Sequence, residues 1–316
     1  MFLQVIRFIF TNTQYFYRLK DIVLSIRQLT KRYGAITAVD HLDLEIERGS
    51  VFGILGPNGS GKTTTLGMLL DVVRPDAGSF SWFGSLPDKT QRKRIGAILE
   101  VPLFYPYLTG RQNLELISSI KELPGDDIDK ALERAGLADR KHSRFRTYSL
   151  GMKQRLAVAA TLLGQPEVLI LDEPTNGLDP KGISEIRDII LKVASEGVTI
   201  ILASHILDEV QKTCSHVAVL ENGKKIFSGP VAEVLNNSQW IELSADTMDK
   251  LDLTLRNTDF VENIQEENEM YIIKTNKPVS LSDLNKFFYD RGIILNHLAI
   301  RKQSLEKYFL ELLEKS

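Results

Sequence analysis

The sequence predicts an α/β fold: a mainly parallel sheet core with an antiparallel β layer before it, a helical subdomain inserted into it, and a small α+β domain after it. Three observations carry this. Gly56-Pro57-Asn58-Gly59-Ser60-Gly61-Lys62-Thr63-Thr64 stands between the apolar runs Val51-Phe52-Gly53-Ile54-Leu55 and Leu66-Gly67-Met68-Leu69-Leu70, which reads as strand, glycine-rich loop and helix. Val168-Leu169-Ile170-Leu171 and Val198-Thr199-Ile200-Ile201-Leu202-Ala203 are continuous apolar runs separated by helical spacing over 183–194, the pattern of parallel strands buried on both faces. Beyond Gly229 the periodicities run β-α-β-β-α-β, a ferredoxin-like order. The expected divisions are an amphipathic or disordered extension over 1–20, a nucleotide-binding domain over 21–229 with its helical subdomain at about 106–163, and an accessory domain over 230–316.

Taken in order, residues 1–20 are apolar and aromatic, with Gln4, Arg7, Thr11, Gln14 and Arg18 forming one polar stripe at helical spacing. This suits a membrane-surface helix, a helix on a partner, or a disordered leader. Partial alternation over 22–29 and 38–46 predicts two strands of the antiparallel layer, with a turn at Thr30-Lys31-Arg32-Tyr33-Gly34. A short strand over 79–83 and a buried one over 95–99 follow, the latter ending at Glu100. Pro102, Pro106 and Gly110 then break the chain into a loop. Apolar spacing of three and four predicts helices over 113–121, 126–135 and 151–163. In the last domain, strands are expected over 240–243, 260–265, 270–274 and 293–300, and helices over 245–255, 281–290 and 304–313.

Composition sets the class. With 316 residues, 25% of them charged and a net charge of −2, the chain gives no electrostatic reason to expect direct contact with nucleic acid. Its single cysteine, Cys214, excludes a disulfide framework and a cysteine-based zinc cluster, and reads as a small, partly buried apolar residue. No stretch offers the ~20 apolar residues that a spanning helix needs. A membrane path would have to come from another chain.

The glycine-rich run reads as a phosphate cradle. Its glycines let successive N–H groups converge on an anion, and the helix that starts near Lys62 points its positive end there. Lys62 is placed to reach β- and γ-phosphates, and Thr63 to offer its hydroxyl to Mg²⁺. Asp172 leaves a buried strand beside the phosphates and can hold Mg²⁺, while Glu173, the next residue, can orient or deprotonate an attacking water. His205 follows the next buried run. Tyr33 is a candidate platform for adenine or an ordinary exposed tyrosine, and His205 by itself equally a satisfied strand-end histidine.

The order of Tyr33, the 56–64 loop, Tyr148-Ser149-Leu150-Gly151-Met152-Lys153-Gln154-Arg155, Leu171-Asp172-Glu173-Pro174, Gly177-Leu178-Asp179 and His205 resembles the ATPase subunit of ABC (ATP-binding cassette) transporters over roughly 23–229. The resemblance implies ATP and Mg²⁺ as ligands and a head-to-tail cassette pair. In that pair Ser149 and Gly151 would meet the γ-phosphate bound by the opposite subunit, Asp179 would cross the interface, and His205 would hold the attacking water. It also implies a separate transmembrane permease and a peripheral position on the cytoplasmic face. Leu150 and Met152 replace the glycine and glutamine of the commonest signature, and Glu100 stands where the family has a glutamine joining nucleotide to partner. Glu100, a carboxylate able to bind Mg²⁺ or its waters, together with Phe104-Tyr105-Pro106-Tyr107-Leu108-Thr109-Gly110, looks like the bacitracin-resistance and lantibiotic-immunity branch of exporters.

The expected function is ATP-driven export of a drug or antimicrobial peptide. The alternatives are a non-transport cassette acting on ribosomes or DNA, which usually brings a second cassette or a long heptad insertion, and a nutrient importer subunit. The chain carries neither a second cassette nor a heptad insertion.

Overall fold

The computed structural model describes residues 21–99, 103–123, 127–236, 240–276, 279–301 and Phe309. The expected N-terminal extension, Glu100, and nearly all of the helix expected over 304–313 lie outside them.

An antiparallel layer comes first. β1 (Ile22–Tyr33) and β2 (Ile36–Glu47) form a hairpin, and β4 (Ala77–Trp82) pairs with the other edge of β1. The turn expected at 30–34 is corrected: Thr30 to Tyr33 are strand, and the chain reverses at Gly34, where φ is +59°. Polar composition suggested a turn, but Asp76 accepts from Lys31 Nζ at 3.0 Å and from the Arg32 backbone N–H at 2.6 Å, so this polar stretch finds partners within the layer.

The main sheet has β3 (Val51–Leu55), β5 (Ile95–Ile98), β6 (Val168–Asp172), β7 (Thr199–Ser204), β8 (His216–Glu221) and β9 (Lys224–Pro230). Their order is β5-β6-β7-β3-β8-β9, parallel throughout except for the β8–β9 hairpin. The central strands β3, β6 and β7 are buried along their whole length, as continuous apolar runs require. The sequence reading passed over β8 and β9, although Asn222-Gly223 between them is a strong hairpin signal. Pro230 pairs with His216 and Val231 joins the same core, so this packing continues just past the expected division at 229/230.

The helices of this part are α1 (Lys62–Leu69), α2 (Lys89–Lys93), α3 (Gly110–Ile120), α4 (Asp127–Arg134), α5 (Leu150–Leu162), α6 (Pro180–Ser195), α7 (Leu207–Thr213) and α8 (Val231–Asn236). Gly110, expected to break the chain, instead opens α3. Thr109 caps that helix and exchanges hydrogen bonds with Gln112. Glycine is needed there because a Cβ would lie 2.3 Å from Tyr148 Oη. Cys214 is buried beside Gly53, and burial pushes its thiol up to about 12, so it serves as an apolar filler.

A third sheet follows, from β10 (Trp240–Ala245), β11 (Val261–Glu267), β12 (Met270–Thr275) and β13 (Leu295–Arg301), in the antiparallel order β11-β12-β10-β13. α9 (Met248–Arg256) and α10 (Leu281–Tyr289) bury Leu251, Leu255, Leu284 and Phe288 in one core with Ile241, Leu243 and Ile273. Ala245, expected to open the first of these helices, ends β10 opposite Leu295. Among the described residues no helix is long and apolar enough to cross a membrane.

Candidate nucleotide site

The cradle forms where β3 passes into α1. Gly61 has φ +102°, and a Cβ there would lie 2.3 Å from the Ala38 carbonyl oxygen; a Cβ on Gly56 would lie 2.3 Å from that of Leu220. The loop is thus clamped between β2 and β8, and only glycine permits both approaches. Gly61 provides no side-chain cap to α1, and the first turn carries no acid, which leaves its N–H groups and positive end for an anion. A cavity of about 300 Å³ opens over this turn, lined by Tyr33, Ala38, Asn58, Gly59, Gly61, Lys62, Thr63, Thr64 and Glu173. Sequence reasoning found all of these but Ala38, whose small apolar side chain carries no chemical signal.

Lys62 is only 5% exposed, and its Nζ donates to Gly56 O at 2.7 Å and Pro57 O at 3.2 Å. A buried ammonium must be paired, and here the loop's own carbonyls do it, with Glu173 Oε1 at 3.7 Å. Thr63 Oγ1 donates to Asp172 Oδ2 at 2.8 Å across the gap between α1 and β6. Tyr33, half exposed, lines the cavity, with Lys31 Nζ 5.4 Å from its ring centre.

Glu173 follows β6 with φ +47°, a conformation that disfavours a side chain other than glycine. Its N–H is held by Ala203 O at 3.0 Å, which fixes the chain as it leaves the sheet. His205 follows the adjacent strand β7, and its Nδ1 is 2.8 Å from Glu173 Oε2. The sequence named both residues; their direct pairing depends on β6 and β7 being neighbours.

Ser149, Gly151 and Asp179 lie elsewhere. They line a second cavity of about 450 Å³, with Arg155, Lys181 and Glu185 among its other walls, and none of them borders the first. Ser149 caps α5, its Oγ accepting from Met152 N at 3.3 Å, and Asp179 caps α6, its Oδ1 accepting from Gly182 N at 2.9 Å. Two helix N-termini therefore face one cavity. A Cβ on Gly151 would meet nothing within 4 Å. Tyr148, which sequence reasoning used only as part of a motif, is buried and donates its hydroxyl to Arg140 O at 2.7 Å, anchoring the turn before Ser149.

A phosphate cradle at the carboxyl ends of a parallel sheet, with a hydroxyl–carboxylate pair and a Glu–His pair beside it, defines a nucleoside triphosphate-binding α/β protein. The sequence pattern of the family described as "ABC transporter" matches residues 39–176. The chain is 38% identical over 298 residues to the bacitracin transport ATP-binding protein BcrA of Bacillus licheniformis, covering 92% of this chain and 97% of that one. It is 37% identical over 221 residues to the lantibiotic transport ATP-binding protein SrtF of Streptococcus pyogenes, covering 68% and 96%. The solved structure of cbiO1 from Clostridium perfringens, described as part of the ABC transporter complex cbiONQ, superposes with a TM-score of 0.64 at 31% identity, covering 75% and 96%. The chain belongs to the ATP-binding family of ABC transporters. It is an ATP-hydrolysing transporter subunit.

Proposed function

We propose that the chain drives export of an antimicrobial peptide or drug through a separate membrane subunit, working from the cytoplasmic face as one of a head-to-tail cassette pair. The observation that carries this reading is similarity to BcrA along nearly the full length of both chains. SrtF, another relative with a transported antimicrobial in its name, supports the same class.

Within this reading the adenine stacks on Tyr33, the phosphates take the N–H groups of the 56–64 loop, and Lys62 moves from its loop carbonyls to the β/γ-phosphates. Thr63 and Asp172, whose oxygens already meet at 2.8 Å, suit a hard divalent cation and would hold Mg²⁺. Bound there, Mg²⁺ would neutralise phosphate charge. Glu173 aligns the attacking water as base, and His205, held to it, reads the γ-phosphate. Ser149, Gly151 and Asp179 act on the nucleotide held by the other cassette, which accounts for their separate cavity. Glu100 connects nucleotide occupancy to the membrane subunit.

The side facing the membrane subunit is read from exposure. Leu103, Tyr105 and Tyr107 are exposed at 96%, 48% and 63%. Beside them Arg146 N donates to Pro106 O and Phe145 N to Leu108 O, which brings the exposed Arg144 and Arg146 alongside this apolar strip. The third sheet, with its β-α-β-β-α-β order, is a ferredoxin-like accessory domain within 230–316 that supports the pair or contacts a partner. The BcrA match, at 92% of this chain, must extend into it.

The test is a pull-down of Glu173→Gln protein from detergent-solubilised host membranes with ATP and Mg²⁺, identifying retained chains by mass spectrometry. This variant should bind ATP and turn over about 10³-fold more slowly, within the range for loss of a general base. Stoichiometric recovery of a polytopic membrane protein is expected; recovery of ribosomes or a soluble complex alone would overturn the transport reading.

A further inference from the structure

Phe309 lies near the end of the chain, beyond the third sheet, yet it packs against the core of the main sheet. With Gly56, Pro57, Asn58, His205 and Leu207 it lines a cavity of about 250 Å³. Asn58 borders both this cavity and the nucleotide cavity, so the start of the cradle loop is the wall between them. The Gly56 and Pro57 carbonyls accept from Lys62 Nζ. His205, at the edge of the same cavity, is the residue paired with Glu173.

We propose that Phe309 is a positioning residue for ATP hydrolysis. Its ring shares a cavity with the Gly56-Pro57-Asn58 arch and His205, and so keeps the Glu173–His205 pair in place when the γ-phosphate arrives. The proposal follows from which groups share the cavity. Gly59, Gly61, Lys62, Thr63 and Thr64, which grip the inner phosphates, border the other cavity and not this one. Removing the ring enlarges the cavity shared by the arch, His205 and Leu207 and not the nucleotide cavity, so the lost packing is felt there first. Binding of the first two phosphates should be indifferent; alignment of the third should not.

The inference rests on the roles given to Glu173 and His205 above. The full chain is compared as wild type, Phe309→Ala, Phe309→Leu and Glu173→Gln, measuring MgADP binding by calorimetry and MgATP turnover. For Phe309→Ala, kcat should fall on the order of 10-fold, below the ~100-fold that a 1 Å misplacement can cost. The Kd for MgADP should stay within about twofold, since the cradle beyond Asn58 is intact. Phe309→Leu, which keeps an apolar side chain on the arch, should recover most of the turnover. Unchanged kcat in Phe309→Ala, or a fall matched by equally weakened MgADP binding and unrelieved by leucine, would overturn the proposal. Normal turnover in Glu173→Gln would instead remove the reading on which it stands.

Discussion

Gly61 and Gly151 both sit at the first turn of a helix beside a cavity, but only one is confined by its own chain. A Cβ on Gly61 would collide with the Ala38 backbone, whereas a Cβ on Gly151 would enter open space. The two cavities differ in the same way. Around Gly61, Lys62 and Asp172 are buried and Glu173 half-buried, and each is already paired: Lys62 with loop carbonyls, Asp172 with Thr63, Glu173 with His205. Around Gly151 the helix starts are exposed, and their caps, Ser149 and Asp179, accept from the N–H groups of their own helices. The first cavity is built to hold a ligand unaided. The second has room for something brought by another molecule, as the proposed cassette pair would require.

The sharpest way to break this comparison is Gly61→Ala. Left-handed backbone and a carbonyl at 2.3 Å together require the cradle to shift, and at roughly 1–3 kcal/mol for each strained feature ATP affinity should fall by about 100-fold, measured by calorimetry. Affinity within a few-fold of wild type would show that the loop is not clamped as described. Gly151→Ala should do the reverse. Inside α5 the substitution meets no clash and favours the helix by roughly 0.5–1 kcal/mol, so thermal stability should hold or rise and ATP affinity should not change. If a second cassette must approach that turn closely, ATP turnover falls even so; a variant as active as wild type would remove the close approach.

The smallest effect expected is in acid. Lys141 and Arg111 together hold the Asp129 carboxyl down to about 2, below the usual carboxylate range, and so tie α3, α4 and the turn after them. A depressed folded pKa means that this support is present above the ordinary aspartate range and is lost as pH falls from there towards about 2. The aspartate is on the surface, so its loss should loosen the region locally. Hydrogen exchange near pH 2.5 should show amides of 110–141 losing protection before those of β3, β6 and β7. Simultaneous loss would mean that the two regions unfold as one unit.

Much of the first cavity was legible because its chemistry is local. Nine consecutive residues make the cradle, and Asp172 and Glu173 are marked by the apolar run before them. Errors fell where tertiary contacts override local composition. Thr30 to Tyr33 look like a turn until Asp76 satisfies them, and Gly110 looks like a break until Tyr148 occupies the space a side chain would need. The hairpin of β8 and β9 carried its turn signal and was overlooked. By contrast, the elements of the third sheet were nearly all readable from period alone, although nothing chemical marks that part.

What the sequence by itself determined is the set of groups: a cradle, a hydroxyl and a carboxylate for a cation, a base, a histidine and a signature segment, in a fixed order along the chain. Those depend on residue type and spacing along the chain. Tertiary structure decided which of them meet. Sheet order puts Glu173 against His205, while the packing around it separates Ser149, Gly151 and Asp179 into a cavity of their own and gathers Phe309, Gly56, Pro57 and His205 around another. Such meetings depend on which strands and loops become neighbours, and residues 32 or more than 200 positions apart have no local pattern that could announce it.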